Sequence, residues 1–386
     1  MTDVAAIECV FSAGELDRRL AATRGALAAA GIDVAIVTGP ENIFYLTGQQ
    51  TPGYYTFQAL MLPAEGAPVF LLRQLEQLNC RANTRLSDFV VYQDDESPAD
   101  AVVRVLADRG WSKRRIGVEK RGWFLPIRFF EQLQDAVAGI TDSSGIVEGL
   151  RAVKSAEEIA FIETAAGYAA AGMRAGLAAV RPGATENDVV AAMFQAAVAA
   201  GSEYFGMEPL VSSGPRTGVP HGTWRRRRLE AGEPMFLELA GVHNRYHAAL
   251  MRSAWLGTPP AEAVRMAAVC EEALAAAIDA VRPGATCEAV HRACQAVIDR
   301  NGLTEAYRKR TGYSIGTSFA PDWGEGNILS LYYGQTRAIE PGMVFHIPPA
   351  LRVYGAFTVG VSETVVVTDT GCRPLSDLDR SITLIG

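Results

Sequence analysis

Along the first 145 or so residues the hydrophobic positions alternate between two rhythms. In "GELDRRLAATRGALAAA" (14–30) apolar residues recur three and four apart, which predicts an amphipathic helix. "GIDVAIVTG" is a short continuous apolar run bounded by turn residues, the pattern of a buried strand. "PENIFYLTG" follows as a turn and helix start, "APVFLLRQ" as a second strand, "DAVVRVLADRG" as a helix and "RIGVEK" as another short strand. This alternation predicts an α/β N-terminal domain.

Near residue 150 the pattern changes. "EGLRAVKSAEEIAFIETAAGYAAAGMRAGLAAV" reads as one long Ala-rich helix running to about Val180. Ser155 is its N-cap and Glu158, three residues on, completes a capping box. The expected division is therefore 1–150 and 151–386. The second part repeats itself: "AVRPGATENDVVAAM" starts at Ala179 and "AVRPGATCEAVHRAC" at Ala280, 101 residues apart. In each copy Pro-Gly ends one helix and Thr caps the next. Strands follow each helix pair: "PMFLELAG" and "YHAALMRSAWLG" after the first, "GMVFHIPPAL" and "ETVVVTD" after the second. A duplicated half of this kind predicts an α+β domain with pseudo-twofold symmetry.

The strands beginning at Pro234 carry the most informative residue. Glu238 sits mid-strand in "MFLELAG" and shares a face with Phe236. A carboxylate among apolar strand residues is either paired or functional, because burying it bare is costly. Arg252 is the structural partner to weigh; a nucleophile, a general base or a cation anchor is the functional alternative.

Composition narrows the class. The 386 residues carry a net charge of -7 and a pI near 5.4, which gives no footprint for nucleic acid. The run "RRRR" at Arg225 to Arg228 reads as a solvated loop. No window is apolar enough for a membrane span, and the N-terminus lacks a signal-peptide pattern. Six scattered cysteines form no CxxC pair, which suits reduced thiols in a cytoplasmic protein.

Several spaced motifs resemble the creatinase/aminopeptidase P/prolidase family and its "pita-bread" catalytic domain. They are "GIDVAIVTGPENIFYLTG", "LRAVKSAEEIAFI", "LEAGEPMFLELAG", "TGYSIG", "IEPGMVFHIPP" and "SETVVVTDTG", in the family's order. The resemblance implies a creatinase-like N-terminal domain and a pita-bread catalytic domain. It also places the metal ligands of the metallopeptidase members on this chain. The first aspartate falls on Glu238 and the second on Ala249, with Arg252 three residues on confirming the register. The histidine falls on Tyr313, the next glutamate on Pro348, and the last on Ser362, beside Glu363. Ala and Pro offer no side-chain ligand, so a dinuclear metal site is not expected, and no cofactor is. Creatinase cleaves a C–N bond without metal, so the scaffold supports metal-free chemistry.

The remaining site residues follow from the same alignment. His221, in "SSGPRTGVPHGTW", falls on the family's substrate-side histidine, used for proton transfer. Glu238, His221 and Glu363 are the expected catalytic groups. His346 shares a strand face with the lost glutamate position and is expected to bind substrate, with Tyr313. In "SFAPDWGEG", Trp323 can stack on a flat cationic ligand, with Asp322 and Glu325 as acceptors. His243 and His247 flank a hairpin and read as surface or interface groups. "TPGYYTFQ" places Tyr54, Tyr55 and Phe57 on a loop that, in dimers of the family, covers the partner's active site.

Within the family the motifs are most similar to members that hydrolyse ectoine, a cyclic amidine bearing a carboxylate. The similar stretches include "PGYYTFQ", "RTGYSIG" and "PDWGEGNILSL". Carboxylates would hold the amidinium, and Arg216 the substrate carboxylate. The expected partners are a small zwitterionic substrate and a second copy of the chain, without nucleic acid or membrane. A guanidino-acid hydrolase or lyase and an inactive binding protein are the alternatives. Whether Glu238 is nucleophile or base stays open.

Overall fold

The computed structural model describes residues 8–386 except 138 and 308. It divides into two compact units, Met1–Arg151 and Ala152–Gly386.

The first unit is α/β. Its strands are β1 (Val34–Val37), β2 (Ala59–Pro63), β3 (Val69–Arg73), β4 (Phe89–Tyr92), β5 (Ile116–Val118) and β6 (Ile140–Asp142). They form one sheet in the order β4-β3-β2-β1-β5-β6. β1 is buried along its whole length, which explains its unbroken apolar run. It pairs parallel to β5 and antiparallel to β2, so the sheet is mixed. Helices α1 (Ala13–Ala29), α2 (Pro40–Thr47), α3 (Gln77–Asn83), α4 (Pro98–Asp108), α5 (Ile127–Ala136) and α6 (Ile146–Arg151) complete the unit. The Pro52–Tyr55 segment is a 3-10 turn rather than an open loop.

The second unit opens with α7 (Ala156–Ala179), capped as expected by Ser155 and Glu158 in a reciprocal capping box. α8 (Glu186–Ala200), β7 (Leu210–Ser213), β8 (Pro234–His243) and β9 (Tyr246–Leu256) finish its first half. α9 (Ala261–Ala280), α10 (Cys287–Arg300), β10 (Gly312–Ser314), β11 (Ser330–Leu331) and β12 (Val344–Ile347) begin the second. β13 (Ala350–Val353), β14 (Phe357–Gly360), β15 (Glu363–Val367), β16 (Cys372–Pro374) and β17 (Thr383–Ile385) follow. The sheet orders are β17-β9-β8-β7 and β11-β10-β12-β15-β16, with β13-β14 a separate hairpin.

The repeated heptapeptide does the same work twice. Gly183 and Gly284 both adopt left-handed backbone, φ 82° and 84°, as the turn between helices requires. Their N–H groups donate to Leu229 and Ile339 carbonyls at the same point of each half. Thr185 and Thr286 cap the next helices through Asp188 and Ala289 amides. The pseudo-twofold relation is thus visible in matched hydrogen bonds.

The halves join where β9 lies against β15. Ala249 N–H donates to Thr364 Oγ1 at 3.1 Å and Met251 N–H to Ser362 Oγ at 2.7 Å. The β8–β9 hairpin turns on Asn244 and Arg245, both at positive φ, which fits a tight two-residue connection. The short β17 pairs parallel to β9, an addition that its sequence does not announce.

Candidate active site

Alternation along β8 turns Phe236 and Glu238 to one face. Phe236 meets Met251 and Ala350 in a small apolar cluster, and Met251 is directly opposite Glu238 in the strand register. Ala249, the vacated second ligand position, lies diagonally across from Glu238. Glu238 is buried, and among the described residues its carboxylate makes no hydrogen bond or ion pair. Burial pushes its pKa up to about 7, against the opposing pull of Lys309 and Arg352. A carboxylate so poised changes charge near neutral pH, as a general base or nucleophile requires.

The other ligand positions are closed by hydrogen bonds. Tyr313 on β10 lies opposite His346 on β12. Trp323 Nε1–H donates to Tyr313 Oη at 2.9 Å; Tyr313 Oη meets His346 Nδ1 at 2.9 Å; His346 Nε2 meets Ser362 Oγ at 2.8 Å. Because indole only donates, the phenol accepts there and is free to donate to His346. Burial pushes His346 down to about 3 and Tyr313 well above the ordinary phenol range, so both are neutral. The family's metallopeptidases imply a metal here, and the donor set does not fit one. Ala249 and Pro348 bring no side-chain donor, while Tyr313 and Ser362 are engaged with His346. Among the described residues no three His, Cys, Asp or Glu side chains converge as a metal cluster.

Several expected residues lie elsewhere than the sequence suggested. Glu363 points to the opposite face of β15 from Ser362, where Arg252 bonds it at 2.8 Å and Arg380 at 3.3 Å. Glu363 is held there in a buried ion pair, and Arg252 is its partner rather than Glu238's. The reason is register: Arg252 stands opposite Leu237, whose side chain points away from that of Glu238. Arg216 is likewise committed. Its Nη1 bonds both oxygens of buried Glu186 at 2.6 and 2.7 Å, and its Nη2 bonds the Thr223 carbonyl, so it is not placed to hold a substrate carboxylate. Trp323 is only 2% exposed and supports Tyr313 instead of offering a stacking face. Glu325 is taken by Lys154 at 2.7 Å. His247 is not a surface group: it is fully buried, with Nε2 accepting from Gly206 N–H and Nδ1 beside the Arg245 carbonyl. His243 is half-buried beside the Tyr168 hydroxyl.

His221 stands exposed at φ 54° on the turn after the 3-10 segment Gly214–Gly218. That segment is pinned to the β13–β14 hairpin, since Thr358 N–H donates to Thr217 Oγ1 at 3.2 Å. Tyr55 belongs to the first unit and is 76% exposed.

Lys309 and Arg352 are the site residues that the sequence reading missed. Each acts electrostatically on Glu238. Arg352 carried one legible signal, a charge on the alternating strand "ALRV" right after the Pro348 position. Lys309, in the polar run "YRKRTG", carried none.

Comparison with known proteins agrees with this architecture. Residues 160–369 match Metallopeptidase family M24, and residues 19–153 match the Creatinase/Prolidase N-terminal domain. The chain is 30% identical to the ectoine hydrolase of Halomonas elongata, with 96% of this chain and 98% of that protein covered. It is similar in structure to the dipeptidase PepE of Mycobacterium ulcerans, with TM-score 0.84, 26% identity and coverage of 97% and 99%. A prolidase from Thermococcus sibiricus shares the fold, with TM-score 0.87, 21% identity and coverage of 96% and 99%. Among the described residues no helix is long and apolar enough to cross a membrane.

Proposed function

The chain belongs to metallopeptidase family M24, with a creatinase/prolidase N-terminal domain, and from that premise we propose that it is a metal-independent hydrolase opening a C–N bond of a small cyclic amidine of the ectoine type. One observation carries the reading: Glu238 persists as a buried carboxylate, unbonded among the described residues, while the positions that would complete a metal site hold Ala249, Tyr313, Pro348 and Ser362. The similarity to ectoine hydrolase over nearly the whole chain supports the substrate class. The dipeptidase and prolidase relatives share the scaffold, and scaffold does not dictate reaction.

The chemistry needs few groups. An amidinium presents a carbon bonded to two nitrogens, and ionised Glu238 is attracted to it. Either the carboxylate attacks that carbon, or it removes a proton from a water that does. A C–O bond forms and the C–N π electrons move onto nitrogen. Collapse of the adduct breaks one ring C–N bond as a proton reaches the leaving nitrogen. If the carboxylate was the nucleophile, the remaining nitrogen leaves an imidoyl ester on Glu238; water adds to its carbon and Glu238 departs, giving the amide. In both routes one water is consumed and an acyclic N-acetyl-diaminobutyrate results. His221, at the end of a segment tied to the β13–β14 hairpin, supplies or relays the proton when substrate is bound. His346, held neutral between Tyr313 and Ser362, shapes the wall of the site.

The test is incubation with cyclic amidines, guanidino acids and Xaa-Pro dipeptides, read by mass spectrometry. Ectoine gaining the mass of one water supports the reading. Cleavage of the dipeptides or of creatine, with ectoine untouched, overturns it.

A further inference from the structure

The site holds more positive charge than its own carboxylate balances. Lys309 follows the 3-10 turn Thr304–Ala306 and precedes β10. The chain around it is pinned, with Tyr307 Oη donating to Thr311 Oγ1 at 3.3 Å and both residues buried. Among the described residues the Lys309 ammonium makes no hydrogen bond and no ion pair. Arg352 shares a face of β13 with Ala350, the residue that touches Phe236. Phe236 in turn shares a face of β8 with Glu238, and Arg352 and Glu238 are near enough for each to act electrostatically on the other. Arg352 is oriented by its Nε, which donates to Thr358 Oγ1 at 2.9 Å. Its two Nη groups have no acceptor among the described residues.

The 3-10 turn just before Lys309 packs against β13, the strand that carries Arg352, both cations act electrostatically on Glu238, and among the described residues none of the three closes a bond on another. Partly buried charges left open in this way are costly unless a ligand completes them. An arginine fork and a lysine are the groups that grip a carboxylate, by paired hydrogen bonds and by point charge. We propose that Lys309 and Arg352 form the subsite that holds the substrate's carboxylate, leaving Glu238 to face the amidinium end. The assignment rests on the reading of the protein as a hydrolase of a zwitterionic cyclic amidine. It gives that site a polarity: anion toward β13, cation toward β8. It also replaces Arg216, whose guanidinium belongs to Glu186.

The experiment is a calorimetric binding titration with two probes, ectoine and the same ring without its carboxylate. The proteins are the wild type, Lys309→Met and Arg352→Gln, with Arg352→Lys as the second arginine variant should the glutamine form fail to fold. The wild type is expected to bind ectoine more tightly than the bare ring. Each substitution is expected to weaken ectoine by about tenfold to a hundredfold, the scale of one hydrogen bond to a charged group. The bare ring is expected to change by less than about threefold, well short of a lost charged hydrogen bond. Equal loss for both probes, unchanged ectoine affinity, or a wild type that does not distinguish them overturns the subsite. Turnover is followed separately. Selective binding without turnover overturns the proposed reaction and leaves the subsite standing; no binding of either probe overturns both.

Discussion

Arg252 bonds Glu363 across 2.8 Å and stands opposite Leu237, not Glu238, on the neighbouring strand. Two carboxylates that a sequence reading could treat as interchangeable site groups are thereby separated. Substitutions tell them apart. Glu363→Gln breaks a pair whose side chains are almost wholly buried and is expected to cost about 3–5 kcal/mol of stability. Glu238→Gln removes a carboxylate that makes no hydrogen bond or ion pair among the described residues and is expected to leave the melting temperature level or higher at pH 8. Its turnover is expected to fall by at least about a hundredfold. Denaturation curves and initial rates on both variants check this; near-normal turnover by folded Glu238→Gln would refute the catalytic assignment.

The pH dependence has a definite sign. Glu238 must be ionised to attack or to act as base, and burial places its pKa at about 7. kcat/KM is expected to fall as pH drops through that value, by roughly tenfold per unit. Stability moves the opposite way. A carboxyl whose folded pKa is raised favours folding below the ordinary carboxylate range, and that contribution is lost as pH rises to about 7. Wild type and Glu238→Gln should therefore diverge in melting temperature as pH rises across this window. Parallel curves would show that Glu238 does not titrate there.

Tyr313 accepts from Trp323 and contacts His346, so Tyr313→Phe strips two hydrogen bonds from a buried chain. The expected cost is about 1–3 kcal/mol, the penalty of leaving buried polar groups unsatisfied. Thermal melts measure it. A loss near zero would mean that the chain of bonds does not hold the wall of the site.

Assembly follows from the first unit. Tyr55, Leu75, Leu78, Trp123 and Ile127 are all largely exposed there. Thr51 reaches Glu76 at 3.0 Å and Tyr54 stacks edge-on with Phe124, which ties together the segments that bear these exposed residues. A homodimer using this patch is expected, with the Pro52–Tyr55 turn near the partner's site. Sedimentation should show a dimer that Tyr55→Asp together with Trp123→Asp weakens. An active wild-type monomer would contradict it.

Much of the architecture was legible because local rules and tertiary demands agreed. AVRPGAT recurs because each copy must end one helix, turn through a glycine at positive φ and cap the next with threonine. Glu238 could be placed by alternation from Phe236. The site's other charges were not legible, for physical reasons. Glu363 and Ser362 are adjacent, and one step along a strand exchanges the two faces. Arg216 read as available because nothing marks Glu186, thirty residues earlier, as its partner. His247 read as exposed because it adjoins a hairpin, yet Gly206 and Arg245 enclose it. Lys309 acquires meaning only when the turn before it packs against β13 and its charge acts on Glu238, a long-range placement that no periodicity encodes.

Ectoine turnover by chelator-treated, metal-depleted enzyme separates metal-free hydrolysis at the vacated metal site from hydrolysis that needs a metal. With elemental analysis confirming less than a stoichiometric metal, an undiminished rate and an acyclic product heavier by one water are expected. Turnover that vanishes on depletion and returns with added divalent metal would contradict it.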